Sequence, residues 1–178
     1  GSRLSEIEKI LPIMLEAVKG LDAEIVIPAA NERAQAAIRR LGGEHVILGG
    51  ARELLRRADC AVVASGTATL EAALARCPTV LVYKADVVLA WVARHFIKTI
   101  RHVGLANIIW EKCDPLGGDP TAEGPMPELL QENFTASAVR SCLDKWLTDE
   151  SVRKQAIARL DSAMKYLKSD GNWVESVL

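Results

Sequence analysis

The sequence is short of the features that announce most chemistries from composition alone. Its four cysteines, Cys60, Cys77, Cys113 and Cys142, include no CxxC pair. That excludes the usual zinc-ribbon and thioredoxin-like arrangements and reads as reduced core thiols in a cytosolic protein. His45, His95 and His102 show no spacing of a metal site or a catalytic triad, so all three read as structural or surface residues. Neither charge dominates: 22 basic side chains face 23 acidic ones, and no positive field points to nucleic acid as a partner. Long apolar runs are also missing. Charges interrupt them far short of the roughly 20 residues that a membrane-spanning helix takes, and nothing resembling a signal peptide opens the chain.

What is present is enough apolar material for one well-packed domain, with 178 residues of which 49% are hydrophobic. Leu4, Ile7, Leu11, Met14, Leu15 and Val18 follow helical spacing, with Ser5 and Glu8 as a capping box and Gly20 as a stop. Ala23 to Pro28 reads as a strand, Glu32 to Leu41 as a helix, His45 to Leu48 as a strand and the segment through Leu54 and Leu55 as a short helix. Asp59 to Ala64 and Thr79 to Tyr83 are further strands, with a helix from Thr67 between them. Alternation of this kind implies βαβ units and a parallel sheet covered by helices on both faces. A doubly wound domain would ordinarily begin with a strand, whereas this chain opens on Gly1-Ser2-Arg3 directly before a helix. It therefore reads as a fragment starting just after that strand.

Beyond Tyr83, the last strand in this reading, the texture changes. Residues 87 to 102 combine Trp91, Phe96 and Ile97 with Arg94, Lys98, Arg101 and His102, the mixture of an interfacial helix or of an apolar face with a basic edge. Cys113 to Met126, rich in proline and glycine, reads as a loop. Thr135 and Asp149 cap two further helices, and Gly171 separates a short apolar tail.

The most informative stretch is Ser65-Gly66-Thr67-Ala68-Thr69-Leu70-Glu71. A buried strand ends there in a small turn and a helix begins, so unpaired backbone N–H groups are delivered where an anion can meet them. Gly66 lets an anion approach the backbone, and the hydroxyls of Ser65 and Thr67 can cap the helix or donate to a phosphate. Glu71 lies one turn beyond Thr67, within reach of a ribose whose diphosphate sits at the turn. The same residues have a purely structural reading: such turns cap many helices, and an early glutamate suits the helix dipole.

The ordered set Gly1-Ser2-Arg3, Glu6-Ile7, Ser65 to Glu71, Pro78, Tyr83-Lys84, Asn107-Ile108 and Pro127-Glu128-Leu129-Leu130-Gln131 resembles the carboxyl-terminal half of the lipid-A-disaccharide synthase family. One departure is Ala106, where the family usually has proline. The resemblance implies a Rossmann-like α/β half of a GT-B glycosyltransferase followed by carboxyl-terminal helices. Residues 1–133 would form a UDP-binding domain and 134–178 a helical extension packing on it or on an absent amino-terminal domain. It further implies an inverting transfer of 2,3-diacylglucosamine from UDP-2,3-diacylglucosamine to 2,3-diacylglucosamine 1-phosphate, with no metal or other cofactor. The general base and most of the acceptor pocket would belong to the amino-terminal domain.

Carried over residue by residue, Ser2 and Arg3 would contact the donor phosphates, Ser65, Gly66 and Thr67 the diphosphate, and Glu71 the ribose. Arg3 and Asn107 would serve the reaction itself, Arg3 by neutralising charge on the leaving β-phosphate. The implied setting is cytoplasmic, with peripheral attachment to the inner membrane through residues 87–102. Two other readings stay open at this level: another UDP-sugar transferase or epimerase of the same architecture, and a non-catalytic α/β binding domain.

Overall fold

The computed structural model describes residues 3–84, 102–113 and 123–169. Helix α1 (Leu4–Val18) is followed by β1 (Ile27–Ala29), α2 (Glu32–Arg40), β2 (Val46–Leu48), α3 (Ala51–Arg57), β3 (Ala61–Ala64), α4 (Thr67–Leu74) and β4 (Thr79–Tyr83). After these come α5 (Leu105–Cys113), β5 (Glu128–Leu130), a 3₁₀ turn (Gln131–Asn133), α6 (Ala136–Thr148) and α7 (Glu150–Ser169). Every strand pairing is parallel, in a two-stranded sheet β1-β2 and a three-stranded sheet β3-β4-β5. The α/β alternation and the parallel pairing expected from the sequence are both realised.

Helices cover both faces. On one side Val62, Ala64, Val80 and Val82 pack with Ile10 and Ala17 of α1 and with Val139, Leu143 and Trp146 of α6. On the other, Ala61 and Val63 meet Ala72 and Ala73 of α4, Trp110 of α5 and Leu160, Ala163 and Met164 of α7. The two carboxyl-terminal helices thus complete the sheet's own cores. Residues such as Leu81 and Leu160, with no exposed surface, contribute about 1.5–3 kcal/mol each through burial. A third cluster joins Ile7 and Leu11 of α1 to Ala29, Val46, Ala34 and Ile38 around β1-β2.

Local details differ from expectation for identifiable reasons. Ser5 does not cap α1; the helix starts at Leu4 with Arg3 at its cap, because Leu4 joins Ile7 and Leu11 in the third cluster. β1 is shorter than its apolar run, since β2 supplies pairing partners only for Ile27 to Ala29. Asn31 caps α2 by accepting from Ala34 N–H, Thr135 caps α6 by accepting from Ala138 N–H, and Asp149 accepts from the Ser151 and Val152 N–H groups at the start of α7. Tyr83 does not end the last strand. Glu128 to Leu130 pair with Leu81 to Tyr83, and α5 lies between them in sequence. The membrane-facing reading of residues 87–102 falls, except for His102, outside the described residues, as do Ser2, Cys113's side chain, most of the loop after it and the tail after Gly171.

Candidate functional site

The parallel pairing brings the carboxyl ends of β3, β4 and β5 to one edge of their sheet, and ligands of such sheets bind there. Ser65 follows β3, and its N–H donates to Val82 O at 2.9 Å and fixes the turn to the neighbouring strand. Gly66 follows with φ +148° and ψ −162°, a region open essentially to glycine alone. A Cβ there would meet nothing within 4 Å, so glycine is required by backbone conformation and not by crowding.

The Gly66 carbonyl is occupied, accepting from Thr69 N–H at 3.2 Å and from the Thr69 hydroxyl at 2.7 Å. The donors are not. α4 has no side-chain cap, so the Ser65 and Thr67 hydroxyls, which the sequence offered as caps, leave the helix start uncovered. Among the described residues no carbonyl accepts from the Thr67 or Ala68 N–H groups. The start of α4 therefore carries uncommitted N–H donors and the positive end of a helix, while the Gly66 carbonyl is already engaged.

Glu71 stands on the same helix, with its side chain 31% exposed, and its Oε1 lies 3.5 Å from Nε of Arg52 on α3. Arg52 was not among the residues singled out from sequence, and nothing short of the α3–α4 packing reveals it. Arg3 caps α1 at a different helix start, where its guanidinium bonds Glu6 at 3.0 Å and remains largely exposed.

Asn107 is placed quite differently. It is 1% exposed, and its amide is bonded within the chain: Nδ2 donates to Met126 O at 2.8 Å and to Glu128 Oε1 at 2.7 Å, while Oδ1 accepts from Met126 N–H at 3.0 Å. Glu128 is the hub of this cluster. Its carboxylate also accepts from Val103 N–H and Gly104 N–H, at the start of α5, with His102 Nδ1 at 3.6 Å. The neighbouring Ala106, where the resemblance led one to expect proline, has no exposed surface and sits in the first turn of α5, a position that also suits proline.

Gln131, just past β5, holds φ +52°, an uncommon conformation for a non-glycine residue. The sequence contains both Glu128 and Gln131 in a recognisable run but gives neither a role, because β5 becomes a strand only by pairing with β4, far away in sequence.

Three of the four thiols are described, and each is held toward its protonated form. Burial pushes the Cys60 thiol up to about 11 and the Cys77 thiol up to about 12, and burial raises Cys142 as well. All three are free. Among the described residues no group of three or more His, Cys, Asp or Glu side chains is arranged to hold a metal ion. The arrangement at the turn can hold an anion at the start of α4 and accept hydroxyl protons at Glu71.

Comparison with known proteins bears on the whole chain. The family model for lipid-A-disaccharide synthetase matches residues 1–170. The lipid-A-disaccharide synthase of Anaeromyxobacter dehalogenans is 35% identical over 96% of this chain and 44% of its own length. Those of Thiobacillus denitrificans and Campylobacter jejuni are 33% and 34% identical, each over 94% of this chain, and over 45% and 43% of their own lengths. The chain thus spans less than half the length of the curated relatives it matches, and by its sequence it belongs to the lipid-A-disaccharide synthase family.

Proposed function

We propose that this chain is the donor-binding half of an inverting glycosyltransferase of lipid A biosynthesis. The transferase would move 2,3-diacylglucosamine from UDP to the 6-hydroxyl of 2,3-diacylglucosamine 1-phosphate. The observation that carries the reading is the Ser65-Gly66-Thr67 turn, with its uncommitted N–H and hydroxyl donors, one helical turn before Glu71. A diphosphate bound at the turn places its ribose toward Glu71, whose carboxylate accepts from the two sugar hydroxyls. Family membership supports a lipid A disaccharide as the product, and UDP is the nucleotide this reading assigns to the turn.

In the reaction, the acceptor oxygen forms a bond to the anomeric carbon of the donor as that carbon's bond to the β-phosphate oxygen breaks. The hydroxyl proton passes to a base that this reading assigns to a separate amino-terminal domain. Negative charge grows on the departing UDP, and Arg3 neutralises it; Ser2 completes that loop in the reading but lies outside the described residues. Asn107, with its amide committed to Met126 and Glu128, acts by fixing α5 against β5 and so shaping the carboxyl edge. The proposal involves no metal.

No helix among the described residues is long and apolar enough to cross a membrane. A cytoplasmic enzyme that touches the inner membrane through residues 87–102 fits acylated substrates. Sedimentation of the full-length transferase with anionic vesicles, with and without Arg94→Gln, Lys98→Gln and Arg101→Gln together, checks that surface. Undiminished vesicle binding by the folded triple variant at low salt would place the docking surface elsewhere.

Titration calorimetry of this chain with UDP, UMP, ADP and UDP-N-acetylglucosamine tests the central claim. UDP should bind more tightly than UMP, for its second phosphate, and more tightly than ADP, for its base. Absence of binding to every uridine nucleotide would return the chain to the class of non-catalytic α/β domains.

A further inference from the structure

Arg52 stands where local rules do not put an arginine. It is the second residue of α3, and a cation in the first turn of a helix meets the positive end of the dipole. Glu53 is the residue that suits this turn, and its carboxylate pairs with Arg56 at 3.0 Å. The pair that Arg52 makes with Glu71 does little for folding. With 42% and 31% of the two side chains exposed, water screens most of the attraction between them. A residue that breaks a local rule without a matching gain in stability points to function.

Glu71 is as poorly explained by its own helix. It is the fifth residue of α4, past the first turn, where the dipole no longer favours an acid. The packing that joins the two residues is built from the core outward. Leu55, one turn after Arg52, is buried in the same cluster as Ala72 and Ala73, which follow Glu71 on α4. That contact lays the first turn of α3 beside the second turn of α4. Nε of Arg52 thereby comes to 3.5 Å from Oε1 of Glu71.

We infer that Arg52 is the positioning residue for Glu71 and the counter-charge that lets a carboxylate stand beside a bound diphosphate. The inference rests on the reading of the Ser65-Gly66-Thr67 turn as a nucleoside diphosphate site. A bare carboxylate one helical turn from that anion repels it. With the guanidinium beside Glu71 the pair is neutral, and the phosphates meet the donors of the turn without that opposition. The same contact sets the plane of the carboxylate. Oε1 is held toward α3, and Oε2 is the oxygen offered to the ribose. Arginine suits both tasks, because its charge is permanent and its planar fork fixes direction, whereas lysine supplies the charge without the direction. A carboxylate oriented in this way selects a ribonucleoside diphosphate over its 2′-deoxy counterpart, whose sugar has lost one of the two hydroxyls.

Calorimetry of the full-length transferase with UDP and 2′-deoxy-UDP tests the inference. Wild type should bind UDP about tenfold more tightly than the deoxy nucleotide, the scale of one hydrogen bond to a charged group. Arg52→Gln should weaken UDP about tenfold and reduce the discrimination to about threefold or less, with an unchanged melting temperature. Arg52→Lys should recover UDP affinity at low salt while its discrimination stays reduced. In a Glu71→Gln background, Arg52→Gln should cost no more than about twofold, because the carboxylate it serves is gone. Wild-type discrimination in Arg52→Gln would overturn the inference and leave the nucleotide site standing. An undiminished loss in the Glu71→Gln background would also overturn it, placing Arg52 on the ligand itself. If wild type binds neither nucleotide, the reading of the turn falls, and this inference falls with it.

Discussion

Asn107 Nδ2 lies 2.7 Å from Glu128 Oε1, joining α5 to the edge strand β5 inside the protein. Truncating Asn107 to alanine leaves the Met126 N–H and C=O and one Glu128 acceptor site without their partners, each buried group costing about 1–3 kcal/mol. Allowing for partial relaxation, Asn107→Ala should lose about 2–4 kcal/mol in urea unfolding. Asn107→Asp should be no better, because it sets a second carboxylate against Glu128. A variant as stable as wild type would return Asn107 to the role of a freely disposable polar group.

Glu71 should matter to nucleotide binding and little to folding. Its ion pair with Arg52 is half-exposed, and such pairs are worth about 0–1 kcal/mol. Glu71→Ala is expected to weaken UDP binding by about 1–3 kcal/mol, the scale of hydrogen bonds to a charged group, with an unchanged melting temperature. Unaltered affinity in calorimetry would remove Glu71 from the site.

Gly66 is constrained by its backbone. Gly66→Ala forces a Cβ into a conformation costing about 1–3 kcal/mol, although no neighbour blocks the side chain. Denaturant unfolding should show that loss, and UDP affinity should fall with it as the turn shifts to relieve strain. Wild-type stability together with wild-type affinity would mean that the turn tolerates another shape.

Arg3 is exposed at the start of α1 and, among the described residues, pairs with Glu6 one turn on, so Arg3→Ala should leave stability untouched. In the full-length transferase the same change should lower kcat about a hundredfold, as for removal of one donor to a developing charge. Full activity would mark it as an ordinary surface arginine.

The buried thiols give a pH signature. Below pH 9.0 Cys60 and Cys77 are protonated in both states; above it the unfolded chain releases their protons, while the folded chain holds them to about 11 and about 12. Their contribution is therefore complete at neutral pH and is lost as pH rises through that window. Cys77→Ala should flatten the decline in stability measured between pH 8.5 and about 10.5. Rapid alkylation of Cys77 by iodoacetamide at pH 8 in the folded chain would contradict its burial.

The sequence by itself determined the alternation of strands and helices, because each element carries its own period: Leu4 to Val18 repeat every three to four residues, and Thr79 to Tyr83 form a short run buried on both faces. It also determined the Ser65 turn, since the glycine, the hydroxyls and the following helix are all local. Family resemblance was legible from ordered short motifs. Only the tertiary structure decided what Asn107 is bonded to, because its partners Met126 and Glu128 lie 19 and 21 residues away in sequence. The same holds for Arg52 beside Glu71, brought together by helix packing, and for β5, whose three residues become a strand only by pairing with β4. The pairing of β3, which among the described residues has β4 as its one neighbour, is the clearest case. Ala-Val-Val-Ala reads as a central strand, and whether such a strand has one neighbour or two depends on backbone groups that residue types do not encode.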